Sequence, residues 1–122
     1  MPKILIVDDS GLSRRILRSI LEGLGHEVME ESDGMAAIER YFLEKPDAVI
    51  LDMTMKGMHG LEVLSQLRKL DPNACVIVGT ADIQSSTRDL TENAGAYGFI
   101  EKPFTAEKVQ HVLNTTLEKK GL

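Results

Sequence analysis

Five polar residues stand at or just after the ends of short apolar runs. Asp8 and Asp9 follow Ile4-Leu5-Ile6-Val7, Asp52 follows Ala48-Val49-Ile50-Leu51, Thr80 follows Val76-Ile77-Val78-Gly79, and Lys102 follows a stretch around Tyr97 to Ile100. If the fold brings them together, they form a chemical set. Carboxylates crowded into a partly dehydrated site repel one another, and a hard divalent cation that prefers oxygen is the simplest remedy. Mg²⁺ suits the set, because it keeps several waters and takes only one or two carboxylates directly. A carboxylate can then act as nucleophile toward phosphorus and form an aspartyl phosphate, provided charge on the phosphoryl oxygens is neutralised. The cation would cover one oxygen, Lys102 a second as a point charge, and the Thr80 hydroxyl a third through a hydrogen bond. Asp52 is the expected nucleophile, since it stands alone on a central strand end while Asp8 and Asp9 sit together as a metal-holding pair.

Taken singly, each residue has a plainer reading. An acid pair opening a helix often only caps it and offsets its dipole. Asp52 could be a loop acid, Thr80 a strand-end hydroxyl, and Lys102 before a proline a solvated charge. The elements that carry them decide the matter. Lys3 to Val7 is a nearly continuous apolar, β-branched run and reads as a strand buried on both faces. After Ser10-Gly11, the positions Leu12, Ile16, Leu17, Ile20, Leu21 and Leu24 recur at helical spacing, Arg14, Arg15, Arg18 and Glu22 point elsewhere, and Gly25 supplies the stop. Glu27 to Ser32 is a weaker strand, followed by the turn Ser32-Asp33-Gly34 and a helix through Ala37, Ile38, Tyr41 and Phe42 that ends before Pro46.

Ala48 to Leu51 repeats the character of the first strand. A loop with Gly57 and Gly60 leads into a helix through Leu61, Val63, Leu64, Leu67 and Leu70, closed by Asp71-Pro72-Asn73; Val76 to Val78 is the fourth strand. Ser85 to Asn93 reads as a helix anchored only by Ile83, Leu90 and Ala94, the element expected to be most mobile or partner-facing. A short strand from Tyr97 to Ile100 follows. Thr105 then caps a last helix whose inner stripe is Ala106, Val109, Val112, Leu113 and Leu117. Strict alternation of strand and helix implies a doubly wound α/β domain, a five-stranded parallel sheet with helices on both faces. Ligands of such sheets bind beyond the carboxyl ends of the strands, so the five polar residues are expected on one rim.

Bulk properties set the frame. A chain of 122 residues with 43% hydrophobic and 27% charged residues is expected to form one domain over residues 1–122, with no room for a separate output domain. A net charge of -5 argues against direct nucleic-acid binding, which needs a basic face. No apolar run approaches the ~20 residues of a membrane span, so no membrane insertion and a cytoplasmic location are expected. The one cysteine, Cys75, is expected to be a small buried side chain in a reducing compartment.

The stretches Ile6-Val7-Asp8-Asp9-Ser10, Leu51-Asp52-Met53 through Gly60, Gly79-Thr80-Ala81 and Lys102-Pro103-Phe104 together resemble the response-regulator receiver family, over the chain from Ile4 to Leu117. The resemblance implies a flavodoxin-like (βα)5 fold with strand order 2-1-3-4-5, an order for which a receiver of this family serves as a standard example. It implies that Asp52 is the phosphoacceptor, that Asp9, Asp52 and the Thr54 carbonyl bind Mg²⁺ directly, and that Asp8 holds a metal-bound water. Thr80 and Lys102 would contact the phosphoryl group. It further implies a cis Lys102-Pro103 bond, and it places Phe99 on the family's switch-aromatic position, so that Thr80 and Phe99 would relay the change outward. The activity implied is that of a phosphoacceptor switch in a two-component system, which catalyses only its own phosphotransfer and dephosphorylation. A histidine kinase would be the phosphodonor, and a protein target would dock on the fourth helix, fifth strand and fifth helix. The family includes chemotaxis regulators and phosphorelay intermediates, between which the sequence does not choose. Two departures stand out: Met55-Lys56-Gly57 where the family usually has a proline, and His59-Gly60 where an acid or small polar residue usually precedes the glycine. Phe99 also lacks a tyrosine's hydroxyl.

Three other functions compete with this one. A flavin or nucleotide binder of the same fold needs a phosphate-cradling first loop, and Asp8-Asp9 puts two negative charges there instead. A Mg²⁺-dependent phosphatase acting through an aspartyl phosphate usually spaces its two first-strand acids two apart and carries a cap. A docking module independent of phosphate would have no use for the intact five-residue set. His26, His59 and His111 lack ligand spacing and are read as ordinary. Met53, Met55 and Met58 are read as adaptable packing, and Lys119 and Lys120 as solvated charges near a helix end.

Overall fold

The elements follow one another as β1 (Lys3–Val7), α1 (Gly11–Gly23), β2 (Glu27–Glu31), α2 (Gly34–Glu44), β3 (Ala48–Asp52), α3 (Gly60–Leu70), β4 (Val76–Thr80), α4 (Ser85–Asn93), β5 (Gly98–Glu101) and α5 (Ala106–Lys119). The computed structural model describes residues 2–53, 60–81 and 85–119, the side chains of 85–88 and 119 excepted. Thr54, Met55, Lys56, Gly57, Met58, His59, Ile83 and Lys120 therefore lie outside the described residues, as does the Lys119 side chain. All neighbouring strands are parallel, and their order is β2-β1-β3-β4-β5. The doubly wound sheet expected from the alternating pattern is the one observed.

Alternation along the buried strands builds two cores. Leu5, Val7, Val49, Leu51, Val76 and Val78 point to one face, where α2 contributes Ala37 and Tyr41 and α3 contributes Val63, Leu64 and Leu67. Ile4, Ile6, Ala48, Ile50, Cys75, Ile77 and Ile100 point to the other, against Leu17 and Leu21 of α1 and Val109 and Leu113 of α5. Each such fully buried branched side chain contributes about 1.5–3 kcal/mol, so the central strands are held from both sides. Strands with no polar face must be sandwiched, which is why runs such as Ile4 to Val7 read so plainly.

Local chemistry sets the helix ends. Ser10 caps α1, its hydroxyl accepting the Ser13 amide at 3.2 Å; Asp33 caps α2 by accepting the Ala36 amide at 2.9 Å; and Thr105 Oγ1 accepts the Lys108 amide at 3.2 Å. Gly25, past the end of α1, has φ of 90°, the left-handed conformation that glycine adopts without a Cβ penalty.

Several side chains assigned inward by periodicity face out. Leu12 and Ile16 of α1 are exposed, as are Phe42, Leu70, Leu90 and Ala106. The cause is geometric: each helix meets the sheet along a stripe narrower than its run of apolar positions. Leu90 is thus no anchor for α4; among the described residues there, Thr91 is buried and Ala94 half-buried against the core. Tyr97 precedes β5, although its amide already donates to the Val76 carbonyl at 2.8 Å. His26 is half-buried; burial pushes its pKa down, and its Nδ1 is buried without a hydrogen-bond partner. His111 is exposed, and Cys75 is buried and free.

Candidate functional site

Parallel register brings the strand ends to a common rim. Val7 pairs with Leu51, Asp52 with Gly79, and Thr80 with Glu101, so the residues after β1 and at the ends of β3, β4 and β5 lie side by side. Asp8, Asp9 and Asp52 each present a carboxylate oxygen within 4.8 Å of the others. Asp8 and Asp52 are buried and Asp9 is exposed, which leaves the cluster open to solvent on one side.

Lys102 meets two of the three acids. Its Nζ donates to Asp8 Oδ2 at 3.0 Å and lies 3.4 Å from Asp52 Oδ1. Burial alone would lower its pKa, but the hydrogen bond to Asp8 and the charge of Asp52 outweigh this and raise it above the ordinary lysine value. The amine is therefore a fixed positive charge at neutral pH. The Lys102 amide donates to the Thr80 carbonyl at 2.8 Å, which ties its backbone to β4. The Lys102-Pro103 bond is cis, as the resemblance implied. Thr80 itself is fully buried at the end of β4.

Two glycines let the backbone close around the site. A Cβ on Gly60 would fall 2.4 Å from the Asp52 carbonyl oxygen and 2.6 Å from Met53 Cα, so only glycine lets α3 start this close to the β3 end. A Cβ on Gly79 would meet the Phe104 ring at 2.8 Å. Phe104 lies in turn under Lys102, whose Nζ is 5.7 Å from the ring centroid. Beside the rim a cavity of about 330 Å³ is lined by Ser13, Ile16, Ala81, Lys102, Pro103 and Phe104.

The donor set fits a hard divalent cation. Among the described residues it offers three carboxylates, and Asp9 opens it to water, matching an ion that retains part of its hydration. Of the residues expected at the site, Asp8, Asp9, Asp52 and Lys102 converge, and Thr80 ends the adjoining strand. Thr54 lies outside the described residues. Phe99 is half-buried beside Val78 on the face of the sheet that carries α2 and α3.

One neighbour escaped the reading by periodicity. Arg14, assigned only to the polar side of α1, reaches back to donate to the Asp8 carbonyl at 2.7 Å and to Glu30 Oε1 at 3.1 Å. The only trace in the sequence is a pair of acids, Glu30 and Glu31, on a strand that otherwise looked weak.

Residues 4–114 match the family described as Response regulator receiver domain. The chain is 40% identical over 113 residues to the chemotaxis protein CheY of Thermotoga maritima, covering 92% of this chain and 94% of that protein. It is 31% identical to the sporulation initiation phosphotransferase F of Bacillus subtilis, covering 98% and 96%. The CheX-CheY-BeF3-Mg+2 complex from Borrelia burgdorferi contains a chain that superposes with a TM-score of 0.91 at 31% identity, covering 94% of this chain and 88% of that one.

Proposed function

This chain belongs to the response-regulator receiver family, and on that premise we propose that Asp52 is its phosphoacceptor, charged by a histidine kinase and read by a partner protein. One observation carries the assignment: Asp52 lies buried among two further carboxylates, with a lysine amine 3.4 Å from its Oδ1. An Asp52 oxygen attacks the phosphorus of the donor's phosphohistidine; the new O–P bond forms as the P–N bond breaks, and the imidazole leaves. Asp8, Asp9 and Asp52, with the Thr54 carbonyl, would hold Mg²⁺, which when bound offsets charge on the phosphoryl oxygens. Lys102 binds a second phosphoryl oxygen, exchanging its contact with Asp52 for one with the transferred group. The Thr80 hydroxyl donates to a third.

The phosphoryl group adds about -1.5 to -2 units of charge and draws Thr80 and Lys102 toward Asp52. Phe99, half-buried on the next strand, turns inward to fill the vacated space, because a packed core offers alternative arrangements rather than gradual deformation. The readout surface is α4, β5 and α5, where Leu90 and Tyr97 are exposed. We place the protein in the cytoplasm, and among the described residues no helix is long and apolar enough to cross a membrane. Chemotaxis is the first pathway to examine, given the chemotaxis relative at 40% identity, with phosphorelay second.

The test is labelling by acetyl phosphate. Wild type should be labelled with Mg²⁺ and not in excess chelator, and Asp52→Asn should not be labelled in either. Label that persists on Asp52→Asn would remove Asp52 from the reaction.

A further inference from the structure

We propose that Phe104 is a positioning residue for Lys102, holding its amine at the rim while the carboxylates around it change partners; this rests on the reading of Lys102 as a phosphoryl contact. Among the described residues the amine meets three groups: it donates to Asp8 Oδ2 at 3.0 Å, lies 3.4 Å from Asp52 Oδ1 and stands 5.7 Å from the centre of the Phe104 ring. Both carboxylates belong to the acid cluster that would take Mg²⁺, and Asp52 is also the proposed phosphoacceptor. Their charge and contacts therefore change on metal binding and on phosphorylation. The ring takes part in neither event, so its contact with the amine lasts through both. A cation within roughly 6 Å of an aromatic centroid is attracted by the ring's quadrupole, more strongly where water is excluded.

The ring is itself fixed. Its edge lies against the backbone of Gly79, one residue before Thr80: a Cβ there would fall 2.8 Å from Phe104 Cζ and 3.0 Å from Cε1, so the seat exists only beside a glycine. Phe104 also packs against the core on the α1 and α5 face of the sheet. Its neighbours hold its backbone: the Lys102 amide donates to the Thr80 carbonyl at 2.8 Å, Lys108 Nζ donates to the Pro103 carbonyl at 3.4 Å, and Thr105 caps α5. Without the ring, the lysine has somewhere else to go. The cavity of about 330 Å³ beside the rim has Lys102, Phe104, Ile16 and Ala81 among its walls, and an ammonium on a flexible stem can swing into it. Leucine at position 104 keeps an apolar side chain but offers no π face and widens that cavity. Tyrosine is no substitute, because its hydroxyl would sit on Cζ, the ring atom nearest Gly79.

A double-mutant cycle separates positioning from packing, since a residue that acts only through Lys102 has nothing to act on once the amine is gone. The experiment is the initial rate of labelling by acetyl phosphate in saturating Mg²⁺, with Mg²⁺ affinity by calorimetry, on wild type, Phe104→Leu, Lys102→Ala and the double variant. Phe104→Leu should slow labelling about fivefold in the wild-type background and by less than about twofold in the Lys102→Ala background. Its Mg²⁺ affinity should stay within about twofold of wild type, because the ring touches the amine and not the acids. Labelling of Phe104→Leu at the wild-type rate would overturn the proposal. Equal slowing in both backgrounds would overturn it too, as the mark of a packing role alone, and so would a loss of Mg²⁺ affinity of about tenfold, which would place the defect in the acids. If Phe104→Leu did not fold, Phe104→Met would be compared in the same two backgrounds, and labelling at the wild-type rate would overturn the proposal in the same way. Lys102→Ala labelled as fast as wild type would instead remove the reading of Lys102 on which it rests.

Discussion

Asp52→Asn should make the metal-free protein more stable, and Mg²⁺ should reverse the order. Among the charged groups described around it, Asp52 meets one attraction, from Lys102, and two repulsions, from Asp8 and Asp9. At an effective dielectric of 20, Lys102 at 3.4 Å is worth about 5 kcal/mol gross, and each carboxylate within 4.8 Å at least about 3.5 kcal/mol. The repulsions exceed the attraction by about 2 kcal/mol, and water around exposed Asp9 screens part of that excess. Asparagine keeps the shape and an oxygen for Lys102 and removes the charge. A gain of about 1–2 kcal/mol in chelator follows, or roughly 4–8 °C in Tm for a chain of this length. Mg²⁺ at a hundredfold excess over its Kd would add about 2.7 kcal/mol to wild type and far less to the variant, which lacks one carboxylate. Thermal unfolding followed by circular dichroism, in chelator and in Mg²⁺, reads both effects. A variant less stable than wild type in chelator, or an equal Mg²⁺ response in the two proteins, would refute the electrostatic reasoning.

Lys102→Ala should leave Mg²⁺ affinity intact or improved while uncoupling α4, β5 and α5 from beryllofluoride, read as lost NMR shift changes over residues 89–101; a tenfold loss of Mg²⁺ affinity would contradict it. Because the folded-state pKa of Lys102 is raised, its contribution is fully present below the ordinary value of 10.5 and is lost as pH rises through the higher folded value. Wild type should therefore lose more Tm than Lys102→Met between pH 10 and 12. Gly60→Ala should destabilise by about 2 kcal/mol or more and weaken Mg²⁺ binding, since its Cβ meets Asp52 and Met53 backbone that cannot yield, and a neutral result by denaturant titration would contradict that contact. Tyr41→Phe removes a 2.7 Å hydrogen bond to Asp71 and should lower stability by about 1–2 kcal/mol without altering Mg²⁺ affinity, which calorimetry can check.

The sequence was most legible where burial is two-sided. β1 and β3 are near-continuous apolar runs, and each run stops where polar chemistry starts, so their bounds and the rim could be read together. Helices were read less well, because periodicity records which positions are apolar and not how wide a stripe the sheet covers. Leu12 and Ile16 continue the pattern of Leu17 and Leu21 yet face solvent. Arg14 was missed for the complementary reason: a charged residue on a helix looks solvated until a strand of different sequence position brings Glu30 beneath it. The cis Lys102-Pro103 bond and the strand order were available only through resemblance, since neither leaves a trace in composition or spacing.

The central claim is that the phosphoryl group resides on the Asp52 carboxylate. Borohydride reduces an acyl phosphate to an alcohol, so treating the acetyl phosphate-labelled protein should convert residue 52 to homoserine. Peptide mass spectrometry should find that conversion at position 52, dependent on Mg²⁺ and absent from unlabelled protein. Homoserine at position 8 or 9 instead, or label that resists borohydride and maps to a histidine or hydroxyl side chain, would contradict the account.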